Sequence, residues 1–221
     1  AAGKLPHALL LRGPAGTGKS HFAQSLAQLL LCASPSDQRA CGSCKYCRLF
    51  ASGTHPDFFV AEPEEGSKAI RVEQIRDLIG FASKKAQFEG YRVVIVQPAE
   101  NMNVNASNAL LKCLEEPGGN TLIMLVTHQP SQLLPTVRSR CQSVDFPIPE
   151  QAPAIHWLEL QLGVKEHANR LLSLAGGCPV KARALAEGDW QKQRDQTFDL
   201  WLALLQKKSH TVETAEILCK F

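Results

Sequence analysis

Residues Gly13-Pro14-Ala15-Gly16-Thr17-Gly18-Lys19-Ser20 satisfy G-x-x-x-x-G-K-[ST] at every position. No other stretch constrains the fold as tightly. A loop of this kind functions between a buried strand and the first turn of a helix. There, glycines let backbone N–H groups converge on phosphate oxygens, and the helix dipole favours the negative charge. The flanks agree. Residues 7–12 (HALLLR) form a short apolar run, and after Lys19 the apolar positions Phe22, Leu26, Leu29 and Leu30 recur at helical spacing to about Leu31. Gly13, Gly16 and Gly18 open the cradle, Lys19 is suited to neutralise the β and γ phosphates, and Ser20 to hold Mg²⁺. The loop is expected to bind ATP or ADP with Mg²⁺.

Strand-like and helix-like segments then alternate. Phe58-Phe59-Val60 reads as a second strand, and Val72, Ile75, Leu78 and Ile79 mark a helix to about Ser83. Val93–Val96 is a β-branched run typical of a strand buried on both faces. A helix from Ala106 to Glu116 stops at Pro117-Gly118-Gly119. Leu122–Thr127 forms a further strand, Leu133–Arg140 a short helix and Ser143–Phe146 the last strand. This order implies an α/β domain built on a parallel sheet covered on both faces, over residues 1–148. From Glu150 onward only helical periodicity remains, as in Trp157, Leu158, Leu171, Leu172, Leu174, Trp201, Leu202 and Leu205. A small all-helical domain is expected over 149–208. The chain begins at Ala1 and ends at Phe221 inside an apparent helix, which suggests a piece trimmed at both ends.

Hydrolysis requires more than a phosphate loop. A carboxylate at the end of a neighbouring strand must hold the metal, and a second one polarises the attacking water. Val93–Val96 is the strand in question, yet Gln97-Pro98 follows it, and neither residue ionises. Glu100 is close, but its offset is wrong and it reads as a solvated loop carboxylate. The expectation is a site that binds nucleotide and turns it over poorly.

Cys32, Cys41, Cys44 and Cys47 bring four thiols within 16 residues. C-x2-C spacing presents two sulfurs to one ion, and four soft ligands suit tetrahedral Zn²⁺ in a closed, structural site. An iron–sulfur cluster fits less well, because no proline follows Cys47 and no partner cluster is apparent. The module spans about 32–52. His55, in Gly53-Thr54-His55-Pro56-Asp57, is read as a turn residue rather than a ligand. Cys113, Cys141, Cys178 and Cys219 are scattered and read as ordinary buried residues.

Composition narrows the class further. Of 221 residues, 44% are apolar, enough for a substantial core, and the net charge of +3 permits contact with nucleic acid without arguing for it. The cysteine module carries only Arg39, Lys45 and Arg48 as cations, which weakens a reading as a DNA-binding zinc module. No apolar run approaches the ~18 residues that span a bilayer, so no membrane role is expected.

Arg138-Ser139-Arg140-Cys141 lies between the short helix and the last strand. A guanidinium at the rim of such a sheet has two available jobs. It can pair locally with a carboxylate, or it can reach a phosphate bound by a neighbouring subunit as an arginine finger. Residue chemistry alone leaves both open.

Together these motifs resemble the clamp-loader subunits of the AAA+ class, and among them the delta-prime family of bacterial DNA polymerase III. The resemblance covers nearly the whole chain. It is carried by residues 7–11, the four cysteines, Gly53–Asp57, the stretch Asn108-Ala109-Leu110-Leu111-Lys112-Cys113-Leu114-Glu115-Glu116-Pro117, and Ser139-Arg140-Cys141. It implies an AAA+ domain with an inserted zinc module, then a helical lid. The start of a collar domain would lie at 209–221. It further implies that Arg140 acts in trans on a neighbour's ATP and that Thr127 is the first sensor at a strand end. The implied partners are the gamma/tau and delta subunits and, through the assembly, the sliding clamp and primed DNA. The implied location is the cytoplasm, at the nucleoid-associated replisome. By resemblance the chain is an accessory subunit of a DNA-directed DNA polymerase with little catalysis of its own. The gamma/tau-like ATPase motor is the alternative, but such motors carry Asp-Glu at 97–98 and a Gly-Ser-x-Arg second sensor. Here the matching stretch is Gly177-Cys178-Pro179-Val180, with Lys181 and Arg183 displaced.

Overall fold

A computed structural model describes residues 5–88, 90–163, 167–188 and 190–206. The chain divides into two compact units, Ala1–Ile148 and Pro149–Phe221. In the first, five strands form one sheet: β1 (Ala8–Arg12), β2 (Phe58–Ala61), β3 (Arg92–Val96), β4 (Thr121–Thr127) and β5 (Gln142–Asp145). Their spatial order is β2-β3-β4-β1-β5, and every pairing is parallel. β3 and β4 are buried along their full length. This accounts for runs that are apolar without alternation.

Alternate residues of each strand feed two cores. Leu10, Val94, Val96, Ile123 and Leu125 point to one face. There they meet α3 (Val72–Ala82) through Ile75 and Leu78, and α4 (Val104–Glu115) through Leu110 and Leu114. Leu9, Leu11, Val93, Ile95, Met124 and Val126 point to the other face, against α1 (Lys19–Leu31). α1 buries Lys19 at its start, the small residues Ala23 and Ala27 along its middle and Leu31 at its end. Phe22 is instead 42% exposed and meets Phe146 edge-on. Small residues let α1 approach the sheet closely, which keeps the loop before it against the strand ends.

A short helix, α2 (Lys45–Ala51), closes the cysteine segment. α4 starts two residues earlier than the apolar pattern suggested. Asn103 accepts a hydrogen bond from the Ala106 N–H and so begins the helix with polar chemistry that periodicity does not register. α5 (Pro135–Arg138) is a single turn.

The second unit contains α6 (Gln151–Leu162), α7 (Ala168–Leu174), α8 (Pro179–Glu187) and α9 (Trp190–Leu205). Its core comprises Ala154, Leu158, Ala168, Leu171, Leu172, Ala175 and Ala182. Among the described residues, Leu174, Phe198, Trp201, Leu202 and Leu205 are exposed. The expected collar segment at 209–221, with Cys219, lies outside the described residues.

Candidate functional site

The phosphate loop leaves β1 and enters α1 at the carboxyl edge of the sheet, where ligands of parallel α/β sheets bind. Gly13, Gly16 and Gly18 adopt φ of +150°, +83° and +93°. Gly13 is also a point of close approach. A Cβ there would lie 2.1 Å from the Phe146 carbonyl oxygen, so only glycine lets the loop pass the end of β5. The Lys19 ammonium is folded into the cradle, donating to the carbonyls of Gly13 and Pro14 at 2.6 Å each. Thr17 Oγ1 donates to the Pro14 carbonyl at 3.0 Å, bracing the turn. Arg12 and Asp145, paired in register on β1 and β5, form an ion pair beside it.

β3 and β4 end beside this loop. Gln97 and Pro98 follow β3 through a cis peptide bond. The Gln97 side-chain oxygen is buried without a hydrogen-bond partner. Glu100 departs from expectation. A 3-10 turn over Ala99–Asn101 rotates its carboxylate inward rather than to solvent. Oε1 accepts the His128 N–H at 2.9 Å, and Oε2 is buried with no partner. The turn geometry that brings residue 100 back over the end of β4 was not visible from the Pro98 signal alone. Burial, and secondly the nearby Lys19 ammonium, hold His128 below the usual histidine range, against the opposing pull of Glu100. Thr127 ends β4 opposite Arg12, is fully buried, and accepts the Gln129 N–H on Oγ1 at 3.2 Å. Gly13, Lys19, Gln97, Glu100, Thr127 and His128 therefore gather at the ends of adjacent strands, although 115 positions separate the first from the last.

The four cysteines converge as their spacing implies. Their sulfurs lie within 4.8 Å of one another. Cys32 and Cys41 are 3.5 Å apart and Cys41 and Cys47 4.0 Å apart. A tetrahedral zinc site with Zn–S of about 2.3 Å needs sulfur separations of about 3.8 Å. Backbone N–H groups of Cys41, Cys44 and Cys47 point at the sulfurs of Cys32, Cys41 and Cys44, at 3.3 to 3.4 Å. Such donors favour thiolate. The N–H of Cys44, then that of Ser43, holds the exposed Cys41 thiol down to about 6. Burial, by contrast, pushes Cys47 up to about 12. The donor set fits a soft divalent ion, whose charge would offset the cost of burying Cys47 as thiolate.

His55 is buried and its Nδ1 accepts the Asp57 N–H at 3.1 Å, a turn role. Asp57 has a role that its place in the sequence does not reveal. Its carboxylate accepts the N–H groups of Gln87 (2.7 Å) and Phe88 (2.9 Å) and lies 3.3 Å from Arg92 Nη2. Phe88 in turn stacks on Tyr46 of α2, with ring centroids 4.4 Å apart. The stretch Gly53–Asp57 thus joins the sheet to the cysteine module. Of the scattered cysteines, Cys113 and Cys178 are buried, whereas Cys141 is only half-buried.

Arg140 follows α5 at the rim of the same unit. Nε donates to the Glu115 carboxylate and Nη1 to the Thr136 carbonyl. A third of the side chain remains exposed. In the second unit, Arg183 pairs with Glu187 at 3.1 Å along α8, and its Nη1 lies 3.5 Å from the Gln161 side-chain oxygen. Among the described residues, no helix is long and apolar enough to cross a membrane.

Comparison with known proteins agrees with this arrangement. The family model described as "DNA polymerase III, delta subunit" matches residues 1–150. DNA polymerase III subunit delta' of Pseudomonas aeruginosa is 49% identical over 95% of this chain and 65% of its own length. The Escherichia coli subunit of the same name is 34% identical over 98% of this chain and 68% of its own length. The chain thus spans about two thirds of the relatives it matches. A DNA polymerase III gamma subunit-related protein from Thermotoga maritima shares the fold, with a TM-score of 0.50 over 76% of this chain and 54% of that one, at 21% identity. The first unit is a parallel five-stranded α/β fold. A family match over two thirds of the chain, and relatives this similar along nearly all of it, lead to one conclusion: the chain belongs to the delta-prime family of DNA polymerase III subunits.

Proposed function

We propose that this chain is the stator of a clamp loader. In this reading it belongs to a ring with gamma/tau and delta subunits, which opens the sliding clamp and loads it onto primed DNA at the replisome in the bacterial cytoplasm. The observation that carries the reading is the pairing of an intact phosphate loop with non-ionisable Gln97-Pro98 at the end of β3. A nucleotide can be held by Lys19, Ser20 and the loop N–H groups, but the two carboxylates that would fix Mg²⁺ and polarise water are missing. Thr127, at the end of β4, would face the γ-phosphate as first sensor. Arg140 supplies a neighbour's site instead, stabilising charge that develops on the transferred phosphate. The third of its side chain that remains exposed supports this. Cys32, Cys41, Cys44 and Cys47 hold a structural Zn²⁺, which keeps the segment between α1 and β2 folded. Residues 149–208 act as the lid, and 209–221 begin the collar.

The test is a reconstituted loader carrying Arg140→Ala in the full-length subunit. Clamp loading should fall sharply and stimulated ATP turnover by the share of one site, while assembly persists. An arginine finger contributes ~10³- to 10⁵-fold to its own site in GTPases. In a ring only one of several sites would be affected, so the total rate drops by that site's share. Unchanged turnover would overturn the reading.

One observation favours a second reading, a slow motor: the Glu100 carboxylate, buried beside the loop, could serve the metal. Turnover by the isolated chain that disappears in both Lys19→Ala and Glu100→Gln would support it.

A further inference from the structure

We propose that Glu115 is the positioning residue for Arg140. This inference rests on the trans-acting role proposed for that arginine. A guanidinium reaching toward a neighbour must be aimed before the neighbour's nucleotide arrives, because a free arginine samples many rotamers and loses them on binding. Here it is held from two elements. Glu115, the last residue of α4, accepts from Nε at 2.5 Å. The Thr136 carbonyl, in the single turn of α5, accepts from Nη1 at 2.9 Å. Among the described residues, Nη2 has no partner, so its two N–H donors are left for an incoming phosphate oxygen.

The location of Glu115 argues that the contact has a purpose. A carboxylate in the last turn of a helix opposes the helix dipole, so α4 alone does not favour an acid there. The pair also joins parts of the chain 25 positions apart, outside any i,i+4 helix pattern. Glu115 therefore fixes the side on which Nη2 emerges, while α4, whose Leu110 and Leu114 lie in the core, fixes Glu115. The carboxylate touches no reacting atom, and its effect passes entirely through Arg140.

The experiment is a double-mutant cycle in the reconstituted loader, with full-length subunit as wild type, Glu115→Ala, Glu115→Gln, Arg140→Ala and Glu115→Ala/Arg140→Ala. Clamp- and DNA-stimulated ATP turnover is measured against ATP concentration. Glu115→Ala should lower kcat at the arginine-dependent site by roughly tenfold, short of the ~10²-fold that a misplacement of about 1 Å costs. KM should stay the same, since the arginine acts on charge developing in the transition state. Glu115→Gln retains an acceptor for Nε and should recover most of the loss. The double variant should be no slower than Arg140→Ala alone. Wild-type turnover in Glu115→Ala alongside slow Arg140→Ala would overturn the positioning role and leave the stator reading intact. Additive losses in the double variant would also overturn it. Wild-type turnover in Arg140→Ala would remove the reading and this inference together.

Discussion

Replacing Asp57 by alanine should destabilise the first unit by about 4 kcal/mol. Asp57 and Arg92 are buried, with side chains 1% and 8% exposed and 3.3 Å apart. Breaking such a pair by removing one partner costs about 3–5 kcal/mol, because the other charge stays buried without a counterion. The Gln87 and Phe88 N–H groups would also lose their acceptor, at about 1–3 kcal/mol each if nothing replaced it. Water can enter the space left by the carboxylate, so these terms do not add, and the ion-pair figure sets the scale. Arg92 keeps its bonds to the carbonyls of Lys85 (2.9 Å) and Phe81 (2.6 Å), which soften the loss without neutralising the charge. With a urea slope of about 2 kcal/mol/M, the unfolding midpoint should fall by about 2 M. Asp57→Asn keeps one acceptor and should lose about half as much. Asp57→Ala combined with Arg92→Met should be more stable than Asp57→Ala alone, since no buried charge remains. A loss below about 1 kcal/mol, or a double variant no better than the single, would refute the reasoning by showing that the pair is effectively solvated. Because Phe88 stacks on Tyr46 beside the cysteines, Asp57→Ala should also release bound metal faster to a chelator.

Three further outcomes are expected. The purified chain should carry about one equivalent of zinc by elemental analysis. Cys47→Ser or chelation should open residues 32–52 to protease at a cost of several kcal/mol, and a metal content far below one equivalent would count against the module. His55 and His128 are both held below the usual histidine range, chiefly by burial, so the unfolded chain binds more protons as pH drops through about 6.5. Stability should therefore be full above about pH 7 and decline below about 6.5. A urea midpoint that is flat from pH 7.5 to 5.5, or a slope unaffected by His128→Gln, would contradict this. Gly13→Ala should cost about 1–3 kcal/mol from backbone strain and weaken nucleotide binding at least ~10-fold, because the new Cβ overlaps the Phe146 carbonyl. Titration with a fluorescent ATP analogue would check this, wild-type affinity being the contrary result.

Much of this protein is local and so was written in the sequence. A phosphate loop is eight consecutive residues, and a C-x2-C knuckle is four. Each acts through backbone geometry that neighbouring residues dictate. The β-branched run at 93–96 and the helical spacing after Glu150 likewise needed only nearest-neighbour periodicity. Gln97-Pro98 was legible for the same reason, since lost ionisation is a property of residue type.

Contacts between distant elements were not legible, because no local pattern encodes them. The inward turn of Glu100 onto His128 depends on β3 and β4 ending side by side. The burial of Asp57 against Arg92 depends on β2 and β3 pairing in register, and that of Ala23 and Ala27 on how closely α1 approaches the sheet. Residue chemistry left Arg140 equally able to pair locally or to reach a neighbour. The tertiary fold allows both, holding Nε and Nη1 and, among the described residues, leaving Nη2 without a hydrogen bond. That division follows from the end of α4 and the turn of α5 meeting in space, which only packing of the assembled sheet and helices decides.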